Sequence, residues 1–150
     1  FNSAKVRFIQ QSHRELTRAW RNAFNVSNVD PRGNPHRLLL FYAVECGLKA
    51  AYLKKHSKTV VDSAIADEFS HDINKLCIQL SVNSALMLPS SLLMKSCIVD
   101  NKETQRQLGP AEINQTWRYG GEFIGRINDA DLENKLEQLN EFIKKELNYE

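Results

Sequence analysis

A chain of 150 residues with 20 Lys+Arg, 18 Asp+Glu and 42% hydrophobic residues has the length of one domain and enough apolar content to exclude wholesale disorder. Its longest nearly apolar run, Leu38 to Leu53, is broken by Glu45 and Lys49, which excludes a membrane span. Three cysteines without C-x-x-C spacing exclude a disulfide scaffold and the usual zinc patterns, and point to a reducing, cytoplasmic setting.

The first predicted element is a helix over about residues 3–24. Val6, Ile9, Leu16, Trp20 and Ala23 form one face, with His13 in the stripe and Arg7, Arg14, Arg18 and Arg21 off it. A loop follows from Asn25 to Pro35. Asn34-Pro35 then reads as a cap with proline at the first helical position, opening a second helix that runs to about His56. Residues 38–44 are apolar on every side, so this helix is the central element. Residues 57–70 read as a loop with a short helical turn.

Ser70 is placed to cap a third helix carrying Ile73, Leu76, Cys77 and Leu80. After Pro89, Ser91 is placed to cap a short helix through Leu92, Leu93, Ser96 and Cys97. The stretch from Asp100 to Gly125 reads as polar and irregular. A last helix starts near Asp129 or Asp131, with the stripe Leu132, Leu136, Leu139, Ile143 and Leu147 and acids and lysines at the ends that suit its dipole. No period-two alternation is sustained. The predicted fold class is therefore all-α: an up-and-down bundle of four main helices plus one or two short ones, in a single domain spanning residues 1–150. The chain opens on Phe1, not Met, with no signal-peptide pattern, as a piece of a longer protein does.

Net charge is +2, unevenly spread. Residues 1–60 hold 11 basic and 3 acidic residues, and residues 61–150 hold 9 and 15. Such asymmetry fits either a polyanion-facing side or basic and acidic helices that pair within one bundle.

The phosphate-binding, dinucleotide and zinc-protease motifs are missing, and no cofactor or metal is expected. Glu45 and Lys49 form an i,i+4 pair on the central helix. They read either as a salt bridge that tolerates burial or as a polar pocket where Lys49 meets an anion. Ser70-His71-Asp72 reads as capping, or as a helix end that holds a phosphate with His71 beside it. In Trp117-Arg118-Tyr119 the aromatics either anchor a loop or flank a guanidinium held for phosphate, with faces free for a base. His13 reads as a packed core or interface histidine.

Ala43-Val44-Glu45-Cys46-Gly47-Leu48-Lys49-Ala50 resembles the A-V-E-x-x-L-K-A signature of the second helix of HEPN domains. His71-Asp72 resembles that family's His-Asp segment, and Arg118-Tyr119 its Arg-Tyr motif before the final helix. The resemblance implies an α-helical bundle that commonly dimerises, found in toxin–antitoxin, CRISPR and other antiviral defence systems. Members are RNA endonucleases, nucleotide- or RNA-binding domains, or partners of a small nucleotidyltransferase. The nuclease members carry Arg, four to six residues, then His. Here only Arg7 to His13 has that spacing, on the first helix instead of the later ones.

The expected function is a non-catalytic, HEPN-like domain that dimerises and binds nucleotide, RNA or a partner protein. Lys49, His71 and Arg118 hold the anion, Tyr119 stacks or orients, Glu45 pairs with Lys49 or Arg118, and Asp72 is structural. One alternative is a metal-independent endoribonuclease with Arg118 and His71, or Arg7 and His13, as catalytic residues. Another is a purely structural domain of a larger protein. The candidate dimer seams are the first helix at Trp20 and the last at Leu139.

Overall fold

The computed structural model describes residues 9–149. Among them are six α-helices and five short β-strands: β1 (Gln11–Ser12), α1 (His13–Ser27), α2 (Asn34–Lys55), β2 (Val60–Val61), α3 (Ser63–Phe69), α4 (Ile73–Gln79), β3 (Leu92–Val99), β4 (Lys102–Leu108), α5 (Ile113–Arg118), β5 (Phe123–Ile124) and α6 (Asp129–Glu146). The fold is mixed α/β, not the all-α bundle expected. An antiparallel pair β1–β2 and a three-stranded sheet of order β4-β3-β5 accompany the helices.

The first helix begins later than its apolar stripe suggests. Ser12 and Glu15 form a reciprocal capping box: Ser12 Oγ accepts from the Glu15 amide at 3.1 Å and Glu15 Oε1 from the Ser12 amide at 3.0 Å. Residues 11–12 are extended against Val60 and Val61, and Ile9 is exposed. Val6 and Arg7 lie outside the described residues. At α2, Gly33 takes the capping position, one residue before the expected Asn34. The Asn34 side chain instead donates to the Gly121 carbonyl at 2.9 Å and accepts from Arg37 at 2.8 Å.

α2 is the central helix. Leu40, Phe41, Ala43, Val44, Leu48, Ala50 and Leu53 are all buried, covered by α1, α4, α5 and α6. Leu16, Trp20 and Ala23 of α1 and Leu132, Leu136, Leu139 and Ile143 of α6 complete the core. Gly47 is where two neighbours converge. A Cβ there would stand 2.8 Å from two Ile143 carbons and 2.9 Å from Trp20 Cδ1. Across that contact, the Trp20 indole donates to buried Asn140 Oδ1 at 2.7 Å. Trp20 and Leu139, expected as candidate dimer-seam positions, are thus buried within the single chain.

The predicted short helix after Ser91 is strand β3, and the stretch read as irregular contains β4, α5 and β5. Asp100 and Asn101 both have positive φ, 50° and 63°, as a two-residue hairpin turn requires and as Asp and Asn tolerate. The β3–β4 register shifts between Met94 and Cys97. That bulge breaks the inside–outside alternation by which a strand is recognised. No described helix is long and apolar enough to cross a membrane.

Candidate functional site

Tyr42, Glu45, Cys46 and Lys49 recur at helical spacing along one face of α2. Glu45 is the buried member, 6% exposed. Its Oε2 lies 2.8 Å from Lys49 Nζ and 3.2 Å from His71 Nδ1, and its Oε1 lies 3.4 Å from the same ring nitrogen. The Lys49 side chain is mostly covered, while that of His71 is 60% exposed. A carboxylate this deep is sustained only by partners that meet its charge. Here an i,i+4 lysine and a histidine from another element supply them.

His71 reaches Glu45 because of the turn between α3 and α4. Ser70 does not cap α4 as expected. Its φ of 48° closes α3 instead, and Asp72 takes the capping role by accepting from the Asn74 amide at 3.0 Å. Asp72 thus caps α4 and leaves residue 71 at the mouth of that helix.

The neighbours on α2 are uncharged at neutral pH. The adjacent Cys46 sulfur, with burial and the Glu45 carboxylate adding, pushes the Tyr42 hydroxyl up to about 12. Burial pushes the Cys46 thiol up to about 11, Glu45 adding to this while Tyr42 and Lys49 oppose it. The cluster therefore presents an ammonium with unused donors and an imidazole whose Nδ1 is engaged and whose Nε2 is left for a ligand.

Arg118 and Tyr119 stand apart from this cluster. Both are exposed at the end of α5, Tyr119 by 78%. Among the described residues Arg118 makes no ion pair or side-chain hydrogen bond. Trp117 is the anchor of this segment: it is buried and its indole donates to Asp129 Oδ1 at 2.9 Å. The following turn is pinned at Gly121 to Asn34, roughly 16 Å along α2 from Glu45 at 1.5 Å per residue. No hydrogen bond or ion pair joins Arg118 to Glu45 or His71, so Lys49, not Arg118, is the partner of Glu45. Tyr119 borders a separate cleft of about 450 Å³ with Arg106, Gln107 and Thr116.

His13 is the first residue of α1, and its amide donates to the Thr59 carbonyl at 2.9 Å. Its pairing with Arg7 falls outside the described residues.

Two features escape residue-by-residue reading. Arg32, with a side chain 5% exposed, bridges Glu133 at 3.3 Å and Glu137 at 2.7 Å, while Arg37 bridges Glu133 at 2.7 Å and Asp129 at 3.7 Å. The other is a basic groove on α1. Its signal, Arg14, Arg18 and Arg21 away from the apolar stripe, was visible in the sequence. What the sequence lacked was which arginines keep no acidic partner. Set against models of known families, curated proteins and solved structures, the chain matches none.

Proposed function

We propose that this chain is a non-catalytic, HEPN-like domain that binds RNA, with Lys49 and His71 holding a phosphate. The observation that carries the reading is the triad of Lys49, Glu45 and His71. One buried carboxylate brings together a mostly covered ammonium and an exposed imidazole from two elements, and both groups suit a phosphate oxygen. Arg118 and Tyr119 form a second contact, a free guanidinium for phosphate and an open ring for a base. The resemblance supplies the rest of the proposal: a homodimer, a toxin–antitoxin or antiviral defence setting, and a small nucleotidyltransferase as protein partner. Three free cysteines accord with a reducing cytoplasm.

A second reading, a metal-independent endoribonuclease, is favoured by one detail of the same triad. A histidine engaged at Nδ1 by a carboxylate and open at Nε2 is arranged as a general base for a 2′-hydroxyl, with Lys49 as the nearby cation.

One experiment separates the two. The protein is incubated with a structured RNA in EDTA beside folded Lys49→Ala, His71→Ala and Arg118→Ala variants. The expected result is intact RNA retarded by the wild type and held about tenfold more weakly by each variant. Cleavage by the wild type that is lost in His71→Ala replaces the first reading by the second. Neither retardation nor cleavage removes both.

A further inference from the structure

We propose that the outer face of α1 is a groove for a phosphate chain, that of single-stranded RNA, with Arg14, Arg18 and Arg21 each taking a phosphate. The inference rests on the RNA-binding reading and adds the surface along which the strand lies.

The three arginines follow one another at i, i+4 and i+7, all exposed, on the side of α1 opposite buried Leu16, Trp20 and Ala23. Among the described residues none of them forms an ion pair with a carboxylate, although Arg18 acts on Glu15 through space. Glu15, the one acid of α1, is occupied by its capping box with Ser12. By contrast, Arg32 and Arg37 are neutralised by α6. Like charges one helical turn apart oppose each other, a cost that an anion on this face removes.

The face is shaped as well as charged. It forms a groove of about 430 Å³ whose lining includes the three arginines, His13, Asn22 and Tyr149. Tyr149 closes the far wall, its ring meeting Trp20 edge-on at 5.5 Å. Arg21 Cζ sits 4.6 Å over that ring, so this guanidinium is held in position before any ligand arrives. His13 also lines the groove, with its Nε2 buried and, among the described residues, without a hydrogen-bond partner.

The chemistry favours a phosphate chain over other anionic surfaces. Arg14 to Arg21 span about 10 Å of helix, and their long side chains extend that reach along a few successive phosphates of one strand. Guanidinium forks match phosphate oxygens, and Asn22 offers hydrogen bonds to sugars and base edges. A membrane-facing helix would present large apolar side chains here, and this groove does not.

The test is fluorescence anisotropy with a labelled oligouridine RNA between about 50 and 200 mM salt. It compares the wild type, the triple variant Arg14→Gln/Arg18→Gln/Arg21→Gln, and the double variant Lys49→Ala/His71→Ala, each checked for native circular dichroism. The triple variant is expected to bind at least about tenfold more weakly, and its log–log salt slope to fall by about 2, at roughly 0.7 per phosphate. A triple variant within twofold of the wild type, with the slope unchanged, overturns the groove while leaving RNA binding in place. A loss confined to the triple variant keeps the groove and removes Lys49 and His71 from the RNA site. Inorganic polyphosphate separates the remaining cases. Binding to it through the same arginines, without RNA binding, retains a phosphate-chain groove and removes the RNA reading. A wild type that binds neither overturns the groove.

Discussion

A carboxylate as deeply buried as Glu45 needs its charge met, and the two partners meet it in different ways. Lys49 arrives through helical periodicity alone, one turn along the same element. His71 arrives from 26 residues away in sequence, delivered by a turn that depends on the positive φ of Ser70. The first contact was legible from spacing, whereas the second needed the packing of α4 on α2. Two other buried groups carry a pH dependence. Burial pushes the Cys46 and Cys77 thiols up to about 11 and about 12, from an ordinary value of 9.0. Above pH 9 the unfolded chain sheds these protons while the folded chain keeps them, so stability falls as pH rises. The contribution is whole below pH 9. It is lost through pH 11 for Cys46 and pH 12 for Cys77, at about 1 kcal/mol per pH unit for each thiol. Urea unfolding at pH 8 and pH 10.5 is expected to show a smaller alkaline loss in Cys46→Ala/Cys77→Ala than in the wild type. Equal losses would mean that the thiols ionise in place.

At the scale of elements, α2 is governed by closeness. Gly47 allows α1 and α6 to meet α2 at one point, where Trp20 is held by its bond to Asn140. Alanine there gains helix propensity of about 1 kcal/mol but places a methyl within 2.9 Å of three carbons. Overpacking of that kind costs about 1–3 kcal/mol. Gly47→Ala is therefore expected to lower the melting temperature, by the equivalent of about 1 kcal/mol net. A melting temperature equal to the wild type's or above it would show that Ile143 and Trp20 move aside. The hairpin β3–β4 is the longest of the elements that sequence reading missed, for an identifiable reason. Its bulge between Met94 and Cys97 cancels the period-two pattern, and β4 is polar on both faces and largely exposed. The remaining clue, Asp100-Asn101 between two strands, is a turn signal whose meaning depends on recognising those strands.

Across the whole molecule, the uneven charge resolves into two parts. The start of α2 and the body of α6 are joined by Arg32 and Arg37 against Glu133, Glu137 and Asp129, so part of the segregated charge is internal pairing. Among the described residues the arginines of α1 belong to the part without an ion pair, and the proposed groove is made of them. Arg32 is nearly enclosed and also donates to the Ser27 carbonyl at 2.6 Å. Removing it takes one of two donors from that carbonyl, which keeps the Val29 amide at 2.9 Å, and strands one side of Glu133. Arg32→Ala is expected to cost about 3 kcal/mol in denaturant unfolding, the lower end for breaking a buried pair, because Arg37 still serves Glu133. A cost below about 1 kcal/mol would mark the bridge as an ordinary surface pair.

The sequence by itself determined the features that repeat over a few residues: the long helices α1, α2 and α6, the all-round apolar character that makes α2 central, and the Glu45–Lys49 pair. These follow from helical periodicity and burial, which are local in the chain. Only the tertiary structure decided the mixed α/β class, the separation of Arg118 from His71, and the burial of Trp20 and Leu139 within one chain. It alone decided which arginines are neutralised by acids and which, among the described residues, are not. Each of those depends on contacts between residues far apart in sequence, where one residue's neighbours are set by the packing of every element between them.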